Sequence, residues 1–163
     1  MIQVLNKIKI NTSPELFFDL LKDFDRYYVL MSPKNHLSCK FLTLPPREIG
    51  TVTCSEEILF GKHQKARYRI TKITKDELVM TALFPLSLIG GKLTFKLDIH
   101  QNYFILNEII EVGFNYLLIG NLMDILLNMY FRDKYTELNA HSQEGLSNIK
   151  DIIENKLYDT NSG

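Results

Sequence analysis

The sequence predicts an α+β fold in which a curved antiparallel sheet of six to seven strands surrounds one long C-terminal helix. The last quarter of the chain, from Leu118 to Leu157, contains no proline and places apolar residues at helical spacing. Most of the preceding chain alternates apolar and polar residues, as half-buried strands do. Short, turn-like joins separate these strands, which favours antiparallel pairing between sequential neighbours.

The elements follow one another in a simple order. A first strand is predicted over residues 2–10, where apolar and polar side chains alternate. Ser13-Pro14-Glu15 is typical of a helix start, so a short helix is predicted over 15–21. A second short helix, over 24–31, ends before Pro33. Two short helices directly after the first strand would close an open end of a curved sheet.

The middle of the chain is predicted to be a meander. An irregular connector over 36–48 holds a short strand near 39–42. Five strands then follow, over 50–60, 64–74, 77–84, 91–99 and 103–112. A strand, two short helices, a strand meander and a long helix form the helix-grip architecture, in which sheet and helix enclose a cavity.

Length, charge and cysteine content narrow the functional class. The 163 residues fit one domain, predicted over 1–158 with a disordered tail over 159–163. Nineteen basic and nineteen acidic side chains cancel, so no global field attracts nucleic acid. Cys39 and Cys54 provide no disulfide framework and no metal-binding spacing. The N-terminus lacks signal-peptide features and no uninterrupted apolar stretch is of membrane length, so we expect a cytoplasmic protein without an integral membrane segment.

Several local motifs, in this order, carry a resemblance to a known superfamily. Residues 10–21, INTSPELFFDLL, resemble the opening of SRPBCC proteins, the START-related and polyketide-cyclase-like superfamily with the birch-pollen-allergen fold. Three further motifs resemble one bacterial branch of this superfamily. They are Met31-Ser32-Pro33 with His36, Glu56-Glu57 followed by Gly61-Lys62, and His141-x-x-Glu144-Gly145. The resemblance implies a hydrophobic ligand cavity and no fixed reaction, because members bind lipids, sterols, plant hormones or polyketides and some are enzymes.

Strand parity selects two glutamates as candidate site residues. Glu56 shares a strand face with apolar side chains, namely Val52, Cys54 and Ile58. Glu108 shares a face with Phe104, Leu106, Ile110 and Val112. A carboxylate on an apolar, inward face is costly unless it is paired, hydrogen-bonded or protonated. Two alternatives stay open: a strand bulge that reverses the parity, or pairing with Arg67 or Arg69.

The histidines supply the remaining polar candidates. His141 lies near the edge of the apolar stripe of the long helix, Glu144 follows one turn later, and His36 lies close to the short helices. His36, Glu56, His141 and Glu144 are candidate metal ligands. A hydrogen-bonded polar patch inside the cavity is favoured over a metal, and no cofactor is expected. In an enzyme, Glu56, Glu108 and His141 would be the candidate acid–base residues.

Large side chains on strand faces are predicted to form the cavity walls, with plain core packing as the alternative. The predicted ligand-binding residues are His36, Glu56, Tyr68, Met80, Phe95, Phe104, Glu108 and His141. The apolar segment 113–123 is a candidate gate, homodimer contact or membrane-touching lip. A glycine in a helix interior, such as Gly145, lowers helix stability by about 1 kcal/mol relative to alanine. Either close approach of the helix to a strand or room for a ligand would explain why a glycine lies at this position.

These features favour a non-catalytic carrier or sensor that binds a hydrophobic small molecule, lipid-, polyketide- or sterol-like. The first alternative is a small enzyme of cyclase, dehydratase or hydrolase type that uses buried glutamate and histidine. The second is a protein-interaction or stress module in which the cavity is incidental. The sequence has no serine elbow, phosphate loop or dinucleotide fingerprint.

Overall fold

The computed structural model describes residues 2–43, 48–85, 87, 90–113, 125, 129, 132 and 134–159, with only the backbone for 156–159. The strands are β1 (Ile2–Ile10), β2 (His36–Phe41), β3 (Val52–Leu59), β4 (Lys62–Ile73), β5 (Glu77–Ala82), β6 (Lys92–Ile99) and β7 (Phe104–Val112). The helices are α1 (Glu15–Leu20), α2 (Phe24–Met31) and α3 (Tyr135–Asp159), with a single 3-10 turn, Leu21–Asp23, between α1 and α2.

All seven strands form one antiparallel sheet in the order β1-β7-β6-β5-β4-β3-β2. Strands β2 to β7 follow one another as a meander, and β1 joins its far side through β7. The hairpin between β3 and β4 turns through Phe60 and Gly61, which have φ values of 56° and 67°. Two consecutive positive φ angles are the signature of a tight two-residue hairpin turn, which fixes the register of the flanking strands.

The hydrophobic core lies between the sheet and the helices. Helix α1 contributes Phe17 and Leu20, and β7 contributes Phe104 and Leu106, all nearly or completely inaccessible to solvent. Helix α3 buries one stripe at helical spacing: Leu138, Leu146, Ile149 and Ile153. Burial of this stripe, rather than intrinsic propensity, is what places α3 against the sheet.

Polar contacts fix α3 at several points along its length. The Phe60 amide donates to a Glu137 carboxylate oxygen at 3.0 Å. The Asn148 side-chain amide donates to the Met31 carbonyl at the end of α2, at 2.9 Å. The Asn11 amide, just after β1, donates to Glu154 at 2.8 Å. The helix is therefore anchored to α2 and to the ends of β1 and β3, and it spans the concave side of the sheet.

The predicted α+β fold class is confirmed, with seven strands and short helices after the first strand. The long helix begins at Tyr135 rather than near Leu118, because Arg132 and Lys134 are in turn conformation. Apolar periodicity does not reveal such an interruption. The predicted gate or dimer segment 113–123 lies outside the described residues apart from Gly113, and so do tail residues 160–163. Among the described residues, no helix is both long enough and apolar enough to cross a membrane.

Candidate functional site

A cavity of about 320 Å³ lies between the concave face of the sheet and α3. Its walls are largely apolar and come from α2, the sheet and α3. The principal apolar wall residues are Phe24, Met31, Tyr68, Met80, Phe95 and Ile149. Polar side chains interrupt these walls, among them the Lys92–Glu111 ion pair, a group around Glu57 on β3 and a group around Glu108 on β7.

The first polar group combines residues from four elements. His36 opens β2, Glu57 lies on β3, His141 on α3 and Tyr28 on α2. The two Nε2 atoms of His36 and His141 are 3.1 Å apart, and they lie 3.7 and 3.8 Å from Glu57 Oε2. The Tyr28 hydroxyl donates to the same carboxylate oxygen at 3.3 Å. We call these four residues the His–Glu cluster.

The neighbours of the two imidazoles determine where their protons lie. His36 Nδ1 is 2.7 Å from the Tyr28 carbonyl oxygen, and because a carbonyl only accepts, this nitrogen must carry a proton. Neutral His36 therefore presents the lone pair of Nε2 to the cavity. The Asn35 amide nitrogen lies 3.4 Å from His141 Nδ1, an arrangement in which Nδ1 accepts and His141 Nε2 carries the proton. The Tyr28 ring stacks on the His36 imidazole, with centroids 3.9 Å apart.

Burial shifts the protonation equilibria of this cluster. The pKa of His36 is lowered to about 4: desolvation is the largest cause, the Tyr28 carbonyl contact opposes it, and the nearby His141 adds to the lowering. Desolvation also raises the pKa of Glu57, although His141 and the Tyr28 hydroxyl partly offset this. The pKa of Tyr28 is raised by its burial and by the charge of Glu57. His36 is therefore neutral at pH 7, and its Nε2 lone pair faces His141 Nε2 at 3.1 Å, where it can accept a hydrogen bond or bind a cation.

The second polar group is centred on Glu108. Burial raises the pKa of this carboxyl to about 7, and a hydrogen bond from the Ser142 hydroxyl only partly compensates. The Asn6 amide on β1 donates to Ser142 Oγ at 2.8 Å and to Asn139 Oδ1 at 3.0 Å. Ser142 and His141 are adjacent on α3, so one turn of this helix carries a side chain of each polar group.

Solved structures with the same architecture match this chain over almost its whole length. Ginseng major latex-like protein 151 from Panax ginseng superposes with a TM-score of 0.66 at 11% identity, covering 91% of this chain and 95% of that one. The protein TTHA0849 from Thermus thermophilus gives 0.67 at 12% identity, covering 93% and 97%. The di-domain ARO/CYC StfQ from the steffimycin biosynthetic pathway gives 0.69 at 15% identity, covering 95% of this chain and 51% of that one.

The chain has a helix-grip fold, an antiparallel sheet packed against a long C-terminal helix. Identities this low establish the architecture and carry no residue roles. No family model matches the sequence, and no curated protein matches it. Function in this helix-grip protein must therefore be argued from its own cavity.

Most of the predicted ligand-binding side chains line the helix-grip cavity. They are His36, Tyr68, Met80, Phe95, Glu108 and His141. Phe104 does not line it, because this ring is completely buried in the hydrophobic core. Strand parity alone cannot separate a cavity wall from core, because both lie on the same face of the sheet.

The predicted inward orientation of Glu56 is wrong. Its carboxylate lies on the outer face, 2.8 Å from Lys65 Nζ and 3.4 Å from His63 Nε2, and Lys65 holds its pKa below the usual range. Its neighbour Glu57 faces the cavity instead. The prediction chose the more apolar face of β3, whereas the cavity-lining face carries Thr53, Ser55 and Glu57.

The register of the hairpin between β3 and β4 would have identified Glu57 as the inward-facing glutamate. A two-residue turn at Phe60-Gly61 places Glu57 opposite Gln64 and Ser55 opposite Ala66. Directly paired residues of antiparallel strands point to the same face. Ala66, Tyr68 and Ile70 alternate along β4 and share its inward face, so this register turns Glu57 inward and Glu56 outward.

Of the four predicted metal candidates, the structure brings together His36 and His141. Glu57 takes the place predicted for Glu56, and Glu144 lies outside the group whose ligand atoms all come within 4.8 Å of one another. Gly145 lines the cavity, and apart from its chain neighbours and the adjacent backbone of its own helix, no atom of the described residues lies within 4 Å of where its Cβ would be. Of the two explanations for this glycine, room beside the helix is the one that the structure supports.

Proposed function

We propose that this protein binds a compact hydrophobic molecule that carries polar substituents, in the cavity between the sheet and α3. The observation that supports this is a cavity of about 320 Å³ with largely apolar walls and separate polar groups around Glu57 and Glu108. Ligand sites typically have volumes of roughly 300–1,000 Å³, with few polar groups on mostly apolar walls. A volume near the lower limit favours a compact ring system over a long-chain lipid.

Each wall of the cavity contributes a different kind of contact. Tyr68, Met80 and Phe95 provide apolar and aromatic surface from the centre of the sheet. At one side, Glu57 and the two histidines provide acceptors and a donor. At the other side, burial raises the pKa of Glu108 to about 7, so this carboxyl can either donate or accept a hydrogen bond at neutral pH. The ligand that fits these walls therefore has hydroxyl or carbonyl oxygens on an apolar frame.

Gly145 offers a direct test because its missing side chain leaves open space beside the cavity. We expect Gly145→Phe to fill that space and to abolish saturable binding of an apolar dye such as anilinonaphthalene sulfonate. Gly145→Ala adds one methyl group and should retain binding. Ser147→Leu, on the exposed side of the same helix, controls for added hydrophobic surface. Equal dye affinity of the wild type and Gly145→Phe would contradict a cavity site.

A small enzyme is the second candidate, and Glu108 is the observation that favours it. A carboxyl group with a pKa of about 7, facing an apolar cavity, is suited to donating and accepting a proton at neutral pH. Turnover of a cavity ligand that is lost in Glu108→Gln while ligand affinity is retained would support catalysis. Equal turnover in both proteins would remove Glu108 from any catalytic role.

A further inference from the structure

We propose that His36, Glu57 and His141 together bind one divalent transition-metal ion of the Zn²⁺ type. The three side chains come from β2, β3 and α3, and their ligand atoms all lie within 4.8 Å of one another. Two imidazole nitrogens and one carboxylate oxygen are donors that zinc takes in three-ligand protein sites. The metal site requires no occupant of the cavity and is independent of the proposed ligand.

The spacing of the three donor atoms suits such an ion. The Nε2–Nε2 separation is 3.1 Å, and the two Nε2–Oε2 separations are 3.7 and 3.8 Å. In a tetrahedral site with bonds of about 2.0–2.1 Å, neighbouring ligand atoms are about 3.4 Å apart. A triangle with the observed sides has a circumscribed radius of about 2.1 Å. An ion slightly out of the plane of this triangle, as a tetrahedral site requires, would be within reach of all three donors after small shifts of the side chains.

Electron-pair counting also favours a cation. The Tyr28 carbonyl holds the His36 proton on Nδ1, so His36 Nε2 presents a lone pair. That lone pair faces Glu57 Oε2 across 3.7 Å, close to the His141 Nε2 atom at 3.1 Å. The Tyr28 hydroxyl donates to the same carboxylate oxygen at 3.3 Å, and no proton is placed between His36 and Glu57. With His141 Nε2 deprotonated, a metal ion would accept a lone pair from each of the three side chains.

The surroundings of the two histidines suit metal ligation. Ligating histidines usually donate their second ring N–H to a carbonyl or carboxylate, which fixes the ring. His36 makes this contact to the Tyr28 carbonyl, and the Tyr28 ring stacks on it with an interplanar angle of 4°. His141 Nδ1 faces the Asn35 amide, which also contacts Ser32 Oγ at 3.2 Å. Rotating this amide by half a turn would present its oxygen to a protonated Nδ1, leaving His141 Nε2 free to bind.

The remaining coordination position would face the cavity. His36, Glu57 and His141 all line it, and zinc sites with three protein ligands keep a fourth position for water or substrate. An oxygen of a cavity ligand would be in reach of that position. The ion would supply a Lewis acid beside an apolar wall, while the three side chains hold and orient it.

The test is metal binding by the chain of 163 residues, after dialysis first against EDTA and then against buffer without EDTA. We expect the wild type to bind one Zn²⁺ per chain in competition with a chromophoric chelator. Co²⁺ should give the intense visible absorption of a tetrahedral site. Glu57→Gln and His141→Ala should each weaken Zn²⁺ binding by more than about 100-fold. Removing a residue that supports a metal ligand typically costs about 10–100-fold in metal affinity, and removing the ligand itself should cost more.

The outer face of the sheet provides matched controls. Glu56 and His63 form a carboxylate–imidazole pair, 3.4 Å apart, on the solvent side of the same hairpin. Glu56→Gln and His63→Ala should leave zinc affinity unchanged. The proposal is overturned if wild-type zinc affinity equals that of Glu57→Gln and His141→Ala, or if the outer-face variants lose affinity to the same extent. The first result would identify the cluster as a hydrogen-bonded polar patch only.

A measurement on the unmodified protein covers the case in which a variant fails to fold. X-ray absorption of the zinc-loaded wild type should show imidazole scattering with zinc–nitrogen distances of about 2.0–2.1 Å and a mixed nitrogen and oxygen shell. A shell of oxygen atoms without imidazole would overturn the assignment. Far-UV circular dichroism of each metal-free variant establishes that lost affinity does not come from lost structure.

Discussion

Replacing Glu108 with glutamine should change how the stability of the protein depends on pH. The carboxyl group is buried in the cavity wall, and burial raises its pKa from 4.5 to about 7 in the folded protein. Between these two values the folded chain holds a proton that the unfolded chain has released. Glu108 therefore contributes stability that is fully present below pH 4.5 and is lost as the pH rises through 7.

The size of this effect follows from the shift. One pKa unit corresponds to about 1.4 kcal/mol, so the raised pKa of Glu108 amounts to roughly 3 kcal/mol between acidic and alkaline conditions. Glutamine resembles the protonated acid in shape and can still accept the hydrogen bond that Ser142 now gives to Glu108. The advantage of Glu108→Gln over the wild type, in free energy of unfolding, should increase by roughly 3 kcal/mol from pH 4 to pH 8.

Urea unfolding followed by circular dichroism at a series of pH values measures this difference. Subtracting the two profiles removes the contribution of every group that the proteins share. Glu56→Gln is the matched control, because Lys65 lowers the pKa of this exposed carboxyl, so its smaller effect should have the opposite sign. Parallel profiles for the wild type and Glu108→Gln would refute the claim that Glu108 is buried and mostly protonated below neutral pH.

Three other substitutions probe the cluster, the core and the helix glycine. Burial lowers the pKa of His36 from 6.5 to about 4, so this residue contributes roughly 3 kcal/mol to the free energy of unfolding above pH 6.5, which is lost as the pH falls through 4. His36→Gln should therefore lose less stability at acidic pH than the wild type, with EDTA present in both measurements. Phe104→Ala should lower the free energy of unfolding by about 3–5 kcal/mol, whereas Phe84→Ala, at a side chain that is 72% exposed, should have little effect. Gly145→Ala should raise the free energy of unfolding by about 0.5–1 kcal/mol, because the added methyl group meets open space. A lower free energy of unfolding for this variant in thermal unfolding experiments would contradict this expectation.

The order of elements could be predicted from the sequence because each depends on local pattern. Alternation and turn residues predict the strands, and α2 runs over the predicted 24–31. The start of α3 could not be predicted in this way, because an apolar stripe continues through residues 118–131 and gives no sign of the turn at Arg132 and Lys134. Helix boundaries depend on the backbone conformation of a few residues, which periodicity averages over.

The site could be predicted only in part, for two physical reasons. His36 and His141 are more than a hundred residues apart, and only the docking of α3 brings their Nε2 atoms to 3.1 Å. Glu57 was missed because its strand face is rich in hydroxyl groups and was taken for a solvent face, although the hairpin register determines which face points inward. The choice between cavity wall and core, which separates Phe95 from Phe104, depends on how far α3 stands away from the sheet.

The central claim is that the space between the sheet and α3 is a binding site for compact hydrophobic molecules. Titration of the isotope-labelled protein with anilinonaphthalene sulfonate, followed by amide chemical shifts, tests it most directly. The predicted result is saturable shifts centred on the amides of Tyr68, Phe95 and Gly145, which line the cavity, and their absence in Gly145→Phe. Shifts confined to outward-facing positions such as Glu56 and Ser147, or equal shifts in both proteins, would contradict it.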